Sequence, residues 1–119
     1  MIKIEDCITI EEFISGSFNK YINNNGKVFG GRNTDSEICK KSACLVQHSY
    51  ERSNMELMVV DIQGCEYMLC DPEIASKIII SDDPVDREYL FTTGNLSVQA
   101  QDNFIASHSC NMYCSLLGL

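Results

Sequence analysis

Two groups of residues in this 119-residue chain have the types and spacing to do chemistry. The first is His108-x-Cys110-x-x-x-Cys114. Zinc takes thiolate and imidazole ligands in a tetrahedron, and this stretch offers three of them. The single residue between His108 and Cys110 lets both side chains meet one ion across a turn. Cys110 and Cys114 are four apart, so on a helix they share a face. A fourth ligand must come from elsewhere. His48 is the other histidine of the chain and a natural candidate, with free cysteines as competitors. A closed site of four ligands is structural, not catalytic, and contributes folding free energy on the order of 10 kcal/mol. The competing reading makes Cys110 and Cys114 small buried apolar residues and His108 a helix cap.

The second group is Asp61-x-Gln63-Gly64 with Asp71-Pro72. Each lies at the end of an expected strand. Two strand ends a hairpin apart can place Asp61, Gln63 and Asp71 in one cluster. Such oxygen ligands suit Mg²⁺, which usually takes one or two carboxylates plus phosphate oxygens. A further aspartate can accept or orient a hydroxyl proton in phosphoryl transfer. Against this stands the ordinary tendency of acids to collect at solvated turns. The loop Phe91-Thr92-Thr93-Gly94-Asn95-Leu96-Ser97 carries one glycine and is a poor phosphate-cradling pattern by itself.

These groups need a scaffold, and the length suits one domain. Hydrophobic residues at 45% and charged residues at 22% exclude a disordered, collagen-like or coiled-coil chain. No apolar run approaches the roughly 20 residues of a membrane helix. No secretory signal is visible at residues 1–6. The net charge of −8 opposes binding to a phosphate backbone, so no nucleic-acid partner is expected. The seven cysteines are an odd number, so they cannot all pair within the chain. Free thiols in a reducing, cytoplasmic setting are the expectation.

Several elements can be read from periodicity. Residues 2–10 open with irregular strand-like alternation. Phe13, Ile14, Phe18, Tyr21 and Ile22 stand near helical spacing and predict a weak helix over 11–21, interrupted by Gly16. Asn23-Asn24-Asn25-Gly26 is a turn signal, and Gly30-Gly31 continues the loop. Thr34 with Glu37 forms a capping-box pattern for a helix running to about Ser49. Ile38, Leu45, Cys39 and Val46 supply its apolar face, and His48 sits at its C-terminal end. Leu57-Met58-Val59-Val60 reads as a strand with residues 66–69 as its hairpin partner, ended by Pro72. Residues 74–80 are apolar and of open type, and 81–88 form a charged loop. A helix over 97–108 directs Val98, Phe104 and Ile105 inward. A short helix over 111–117 follows.

In order, these segments resemble the alpha-kinase family of atypical protein serine/threonine kinases. Ile14-Ser15-Gly16-Ser17-Phe18-Asn19-Lys20-Tyr21 with Asn23-Asn24-Asn25-Gly26 looks like the family's "I-x-G-x-F-x-K-Y-x-N-N-x-G". His48-Ser49-Tyr50-Glu51-Arg52-Ser53 looks like "H-F-T-Y-E-x-S". Residues 57–64 look like "L-L-V-V-D-x-Q-G", and 69–72 like "L-T-D-P". Residues 91–97 stand where the family has "F-G-x-G-N-L-G". His108-Ser109-Cys110-Asn111-Met112-Tyr113-Cys114 with residues 116–119 matches "H-x-C-N-x-x-C-x-x-L-x-L".

The resemblance implies an α+β fold, the C-terminal lobe of an alpha-type kinase, with a small sheet, helices and a structural zinc site. Residues 1–119 are then a partial domain, hinge plus C-terminal lobe, with the N-terminal ATP-binding lobe absent. It implies transfer of the ATP γ-phosphate to a protein serine or threonine. Asp61 would orient the substrate hydroxyl and Lys20 neutralise charge at the transferring phosphoryl. Gln63 and Asp71 would hold Mg²⁺ on the phosphates, with Asn24 nearby. Glu12 or Glu11 would sit near the hinge that reads adenine and ribose. Gly94, Asn95 and Leu96 would face the substrate. His48, His108, Cys110 and Cys114 would be the Zn²⁺ ligands. The implied partners are ATP and a protein substrate, without membrane insertion.

Two departures from the family pattern matter. No G-x-G-x-x-G and no strand-borne lysine precedes Glu11, so efficient transfer needs an N-terminal lobe from elsewhere. Two family glycines of the 91–97 loop are replaced by Thr92 and Ser97. A zinc-stabilised pseudokinase lobe that binds proteins without catalysis is therefore the alternative.

Overall fold

The computed structural model describes residues 8–29, 36–77, 92 and 94–119. Their first regular element is the strand β1 (Asn19–Ile22), followed by the helix α1 (Glu37–Arg52). Four short strands come next: β2 (Leu57–Val60), β3 (Ile62–Cys65), β4 (Met68–Leu69) and β5 (Glu73–Ser76). The helices α2 (Ser97–Ser107) and α3 (Met112–Leu116) complete the described elements. The strands make two antiparallel sheets, β1-β3-β4 and β2-β5.

The break between the sheets falls at single residues. Asp61 separates β2 from β3 and has φ 56°. Asp71 lies between β4 and β5 and has φ 47°. Aspartate visits this left-handed region more readily than most residues because its short polar side chain bonds locally. The chain thus leaves the β2-β5 sheet at Asp61, makes the β3-β4 hairpin, and returns at Asp71. Both carboxylates lie at the seam between sheets.

This pairing corrects the expected hairpin. β2 pairs with β5, in the register Leu57↔Ser76 to Val60↔Glu73, and not with residues 66–69. Glu66 and Tyr67 instead form the two-residue turn of β3 and β4, where Cys65 faces Met68. A two-residue turn joins neighbouring strands closely, and Glu66 supplies the positive φ of 51° that such turns favour.

The helix expected over 11–21 is also corrected. Gly16 has φ 110°, outside any helical conformation, and β1 begins three residues later. Lys20 pairs with Gln63 and Ile22 with Ile62, with a bulge between. The bulge turns Tyr21 and Ile22 both inward, and their adjacency imitates helical spacing. Phe13 and Phe18 are exposed.

α1 is capped by Ser36, whose hydroxyl accepts from the Cys39 amide. Glu37 is its first residue, so it does not take the third position that a Thr34 cap requires; Thr34 lies outside the described residues. Cys39, Ala43 and Val46 face the core, whereas Leu45 is exposed. Ser53 holds the other end, accepting from the Leu57 amide at 2.9 Å. Ser49 binds β2 directly through the Val59 amide. On β2 the core receives alternate residues, Met58 and Val60, as the strand period of two requires.

α2 buries Ala100, Gln101 and Phe104. Val98 and Ile105, expected inward, are exposed. The one-turn pair Ala100 and Phe104 sets the buried face, and Gln101 joins it by donating to the Ala75 and Glu56 carbonyls. The expected opening at 2–10 falls mostly outside the described residues. So do Gly30-Gly31, residues 78–80 and the 81–88 loop.

The 23–26 turn packs directly on α2. Gly26 has φ 80°, and a Cβ there would lie 2.1 Å from the Ala100 carbonyl oxygen. Gly26→Ala is expected to destabilise the fold by at least about 2 kcal/mol, through left-handed strain and the backbone clash together. A lowered urea midpoint checks this, and an unchanged midpoint contradicts the close packing.

Candidate active site and metal centre

The seam carries a connected polar cluster. Lys20 on β1 and Gln63 on β3 are direct cross-strand partners, so their side chains rise together. Lys20 Nζ donates to Asp61 Oδ1 at 2.7 Å. Gln63 Nε2 donates to Asp61 Oδ2 at 3.1 Å and to the Asp71 carbonyl at 3.1 Å. Both Asp61 oxygens are therefore held, and the residue is buried. An acid at a solvated turn does not have this arrangement. Here the acid is fixed by a cation and an amide from two different strands.

Asn24, in the turn after β1, donates to the Gly94 carbonyl at 3.3 Å. The Gly94 amide donates in turn to Glu73 Oε2 at 3.3 Å. The 94–96 loop is thus tied to the same seam from two sides. Asn95 is buried, with its amide on Ser76 and its oxygen accepting from the Ser76 and Ser97 amides. Leu96 is exposed.

Glu12 is exposed on the approach to β1. Burial raises the Cys70 thiol pKa, and the charges of Glu11, Asp71 and Asp61 raise it further. Glu11 therefore belongs to the electrostatic surroundings of the acids. Glu73 was not singled out from sequence, since nothing local marks an acid at the first position of a new strand.

The second cluster lies where α3 meets α1. The ligating atoms of His108, Cys110 and Cys114 all fall within 4.8 Å of one another. Cys114 Sγ is 3.7 Å from His108 Nε2. Three local devices hold them. Asn111 caps α3 by accepting from the Tyr113 and Cys114 amides, and its own amide donates to the Lys40 carbonyl on α1. The His108 backbone closes α2, and its ring stacks on Phe104 at 4.7 Å. Cys114 is fully buried, whereas Cys110 is exposed, so Cys110 is no buried apolar residue.

His48 lies outside that trio. Its Nδ1 is buried without a hydrogen-bond partner, an uncommon state for a polar atom. Burial lowers the His108 pKa and keeps the imidazole neutral, the form that ligates metal. Burial and the neighbouring Cys114 push the Cys44 thiol up to about 11, and raise Cys110 as well. Crowded, desolvated thiols beside the His108 imidazole fit a cation, which reverses that penalty by ligating thiolates. Cys44 is one of the free cysteines left as competitors for the fourth position, and it was not singled out from sequence. Its signal is the four-residue spacing to His48 on α1.

The sequence model of the alpha-kinase family matches residues 3–114 of this chain. The chain belongs to the alpha-kinase family. Among relatives of this alpha-kinase chain is the mouse (Mus musculus) transient receptor potential cation channel subfamily M member 6. It is 37% identical over 112 residues, which cover 94% of this chain and 5% of that protein. Alpha-protein kinase 2 of Mus musculus is 38% identical over 112 residues, 93% of this chain and 5% of that protein. The chain therefore spans a small part of these relatives. Among solved structures, the apoenzyme alpha-kinase domain of myosin-II heavy chain kinase A aligns with a TM-score of 0.69 and 32% identity. The alignment covers 90% of this chain and 37% of that one. The same kinase domain has been solved in complex with ADP, aligning with a TM-score of 0.68. The small sheets and helices of this alpha-kinase chain fit an α+β domain. No helix among the described residues is long and apolar enough to cross a membrane.

Proposed function

We propose that this chain is the C-terminal lobe of an alpha-type protein serine/threonine kinase domain, which transfers the ATP γ-phosphate to a protein hydroxyl. The observation that carries the reading is Asp61, buried at the sheet seam with both oxygens held by Lys20 and Gln63. Phosphoryl transfer asks a protein chiefly for positioning and charge stabilisation. Asp61 orients the attacking serine or threonine hydroxyl and accepts its proton. Lys20 neutralises charge gathering on the transferring phosphoryl. Gln63 and Asp71 are the residues that would hold Mg²⁺, as hard oxygen donors. Held there, Mg²⁺ would supply positive charge against the ATP phosphates. Asn24 steadies the Gly94–Leu96 loop, which faces the acceptor. Glu12 or Glu11 stands on the adenine and ribose side. Ile10, Phe13 and Phe18 are exposed on the same approach, as expected of a surface covered by an N-terminal ATP-binding lobe.

His48, His108, Cys110 and Cys114 would hold a structural Zn²⁺ that fastens α3 to α1. The described cysteines are free thiols, which suits a reducing, cytoplasmic setting.

A second reading rests on Ser97. It has φ 56° where the family pattern has glycine, so the loop carries strain at the acceptor side. A zinc-stabilised pseudokinase lobe that binds proteins would tolerate that strain.

The test joins this chain to an alpha-kinase N-terminal ATP-binding lobe and supplies radiolabelled Mg-ATP with a serine/threonine peptide mixture. Labelled phosphoserine or phosphothreonine is expected. Asp71→Ala is expected to raise the Mg²⁺ concentration for half-maximal rate by at least about tenfold, the loss of one of very few protein ligands. No transfer, together with no Mg-ATP binding in the usual substrate range of about 1 μM–1 mM, favours the pseudokinase lobe.

A further inference from the structure

The knot of His108, Cys110 and Cys114 has a neighbouring donor outside the expected ligand set. Cys44 lies on α1 one turn before His48, and that spacing puts both side chains on one helix face. The face looks onto α3. Cys44, His48 and Tyr113 line one groove of about 320 Å³ between the two helices. The Cys44 thiol is within hydrogen-bonding reach of Cys114, and Cys110 is close enough to act on it electrostatically. Cys44 and Cys114 are both buried, while Cys110 closes the outer side. His108, Cys110 and Cys114 therefore crowd one point with Cys44 against Cys114, and His48 lines the same groove as Cys44 with its Nδ1 buried and unpartnered. A four-coordinate ion has one position left, and α1 presents two donors for it.

We propose that Cys44 is an exchangeable metal ligand, taking the fourth position as a thiolate whenever His48 does not. The inference rests on reading this cluster as a zinc centre. Zinc accepts both two-thiolate and three-thiolate sets with imidazole. On exchange the Cys44 S–H bond and the metal–His48 bond break, a metal–sulfur bond forms, and the proton leaves to solvent. The third thiolate adds one negative charge. Lys41 lines the same groove and supplies a nearby cation. A soft ion, which prefers sulfur, shifts the exchange toward Cys44.

The experiment compares wild type, Cys44→Ser, His48→Ala and the double variant. Metal per chain is counted by elemental analysis, and thiolate ligands by the sulfur-to-metal charge-transfer absorption of the Co²⁺-loaded protein. His48→Ala is expected to keep about one metal per chain, with charge-transfer intensity raised by about half as two thiolates become three. Cys44→Ser keeps the metal on two thiolates, and the double variant loses it. Full loss of metal in a folded His48→Ala protein overturns the role of Cys44 alone. Wild-type protein that takes up no metal overturns the zinc centre, and this inference with it. If His48→Ala does not fold, Cd²⁺-loaded wild type decides. Its charge-transfer band is expected to exceed that of Cys44→Ser by about half, and equal bands overturn the proposal.

Discussion

Asp61→Ala, introduced into this chain joined to an alpha-kinase N-terminal ATP-binding lobe, is expected to lower phosphate transfer by about 10²–10⁴-fold, the usual worth of a positioned general base. The loss belongs to the chemical step. Asp61 sits at the sheet seam with Lys20 on one oxygen and Gln63 on the other. Removing it frees the lysine and takes away the acceptor for the hydroxyl proton. Alanine has a second effect, because position 61 is left-handed at φ 56° and an alanine there costs about 1–2 kcal/mol. Asp61→Asn separates the two. Asparagine tolerates the same backbone and keeps an oxygen for Lys20, but it cannot act as the base. Rates of radiolabel transfer and melting temperatures are measured side by side. The expectation is that both variants are inactive and that only alanine melts clearly lower. Asp61→Asn activity within tenfold of wild type would remove Asp61 from the proposed role.

The position of Asp61 was legible in the sequence, but its geometry was not. Hydrophobic patterning reads β2, α1, α2 and α3 because each carries a period or a cap. It cannot read that one aspartate in the left-handed region moves the chain to another sheet. For the same reason the partner of β2 was misplaced. The nearest apolar run was residues 66–69, yet the true partner β5 lies beyond a whole hairpin. The 11–21 stretch failed differently, because a bulge that buries Tyr21 and Ile22 side by side looks helical in one dimension. On α2, apolar Val98 and Ile105 lost their inward places to Gln101, whose amide satisfies two buried carbonyls. Side-chain polarity alone does not reveal such a bond. The clustering of His108, Cys110 and Cys114 was legible, since the three lie within seven positions. Cys44 was not, since its approach to Cys114 depends on how α1 packs against α3.

Metal removal is expected to have the largest effect on stability. α3 has five residues and α2 eleven, both below the roughly 12–15 that an isolated helix needs to persist in water. The attachment of α3 to α1 runs through Asn111 and the buried Cys114. Structural zinc contributes free energy on the order of 10 kcal/mol, comparable to the whole stability of a typical domain, about 5–15 kcal/mol. Even a third of that, at about 4–8 °C per kcal/mol for a small domain, lowers the melting temperature by more than about 10 °C. Treatment with a strong chelator, followed by elemental analysis and thermal melting, tests this directly. Holoprotein should carry about one zinc per chain, and the apoprotein should melt far lower or not cooperatively. His108→Ala should lower the zinc content and reproduce the apoprotein melt, because it also removes the ring stacked on Phe104. That stacking gives the control: His108→Phe keeps an aromatic ring beside Phe104 without a ligating nitrogen. If His108→Phe and the chelated protein both melt with wild type, the fold is held by α1 packing alone and the cluster binds no structural metal. If both fall together while Cys110→Ser falls with them, the three residues act as one centre, and α3 is fastened by the ion, with its helical hydrogen bonds following from that attachment.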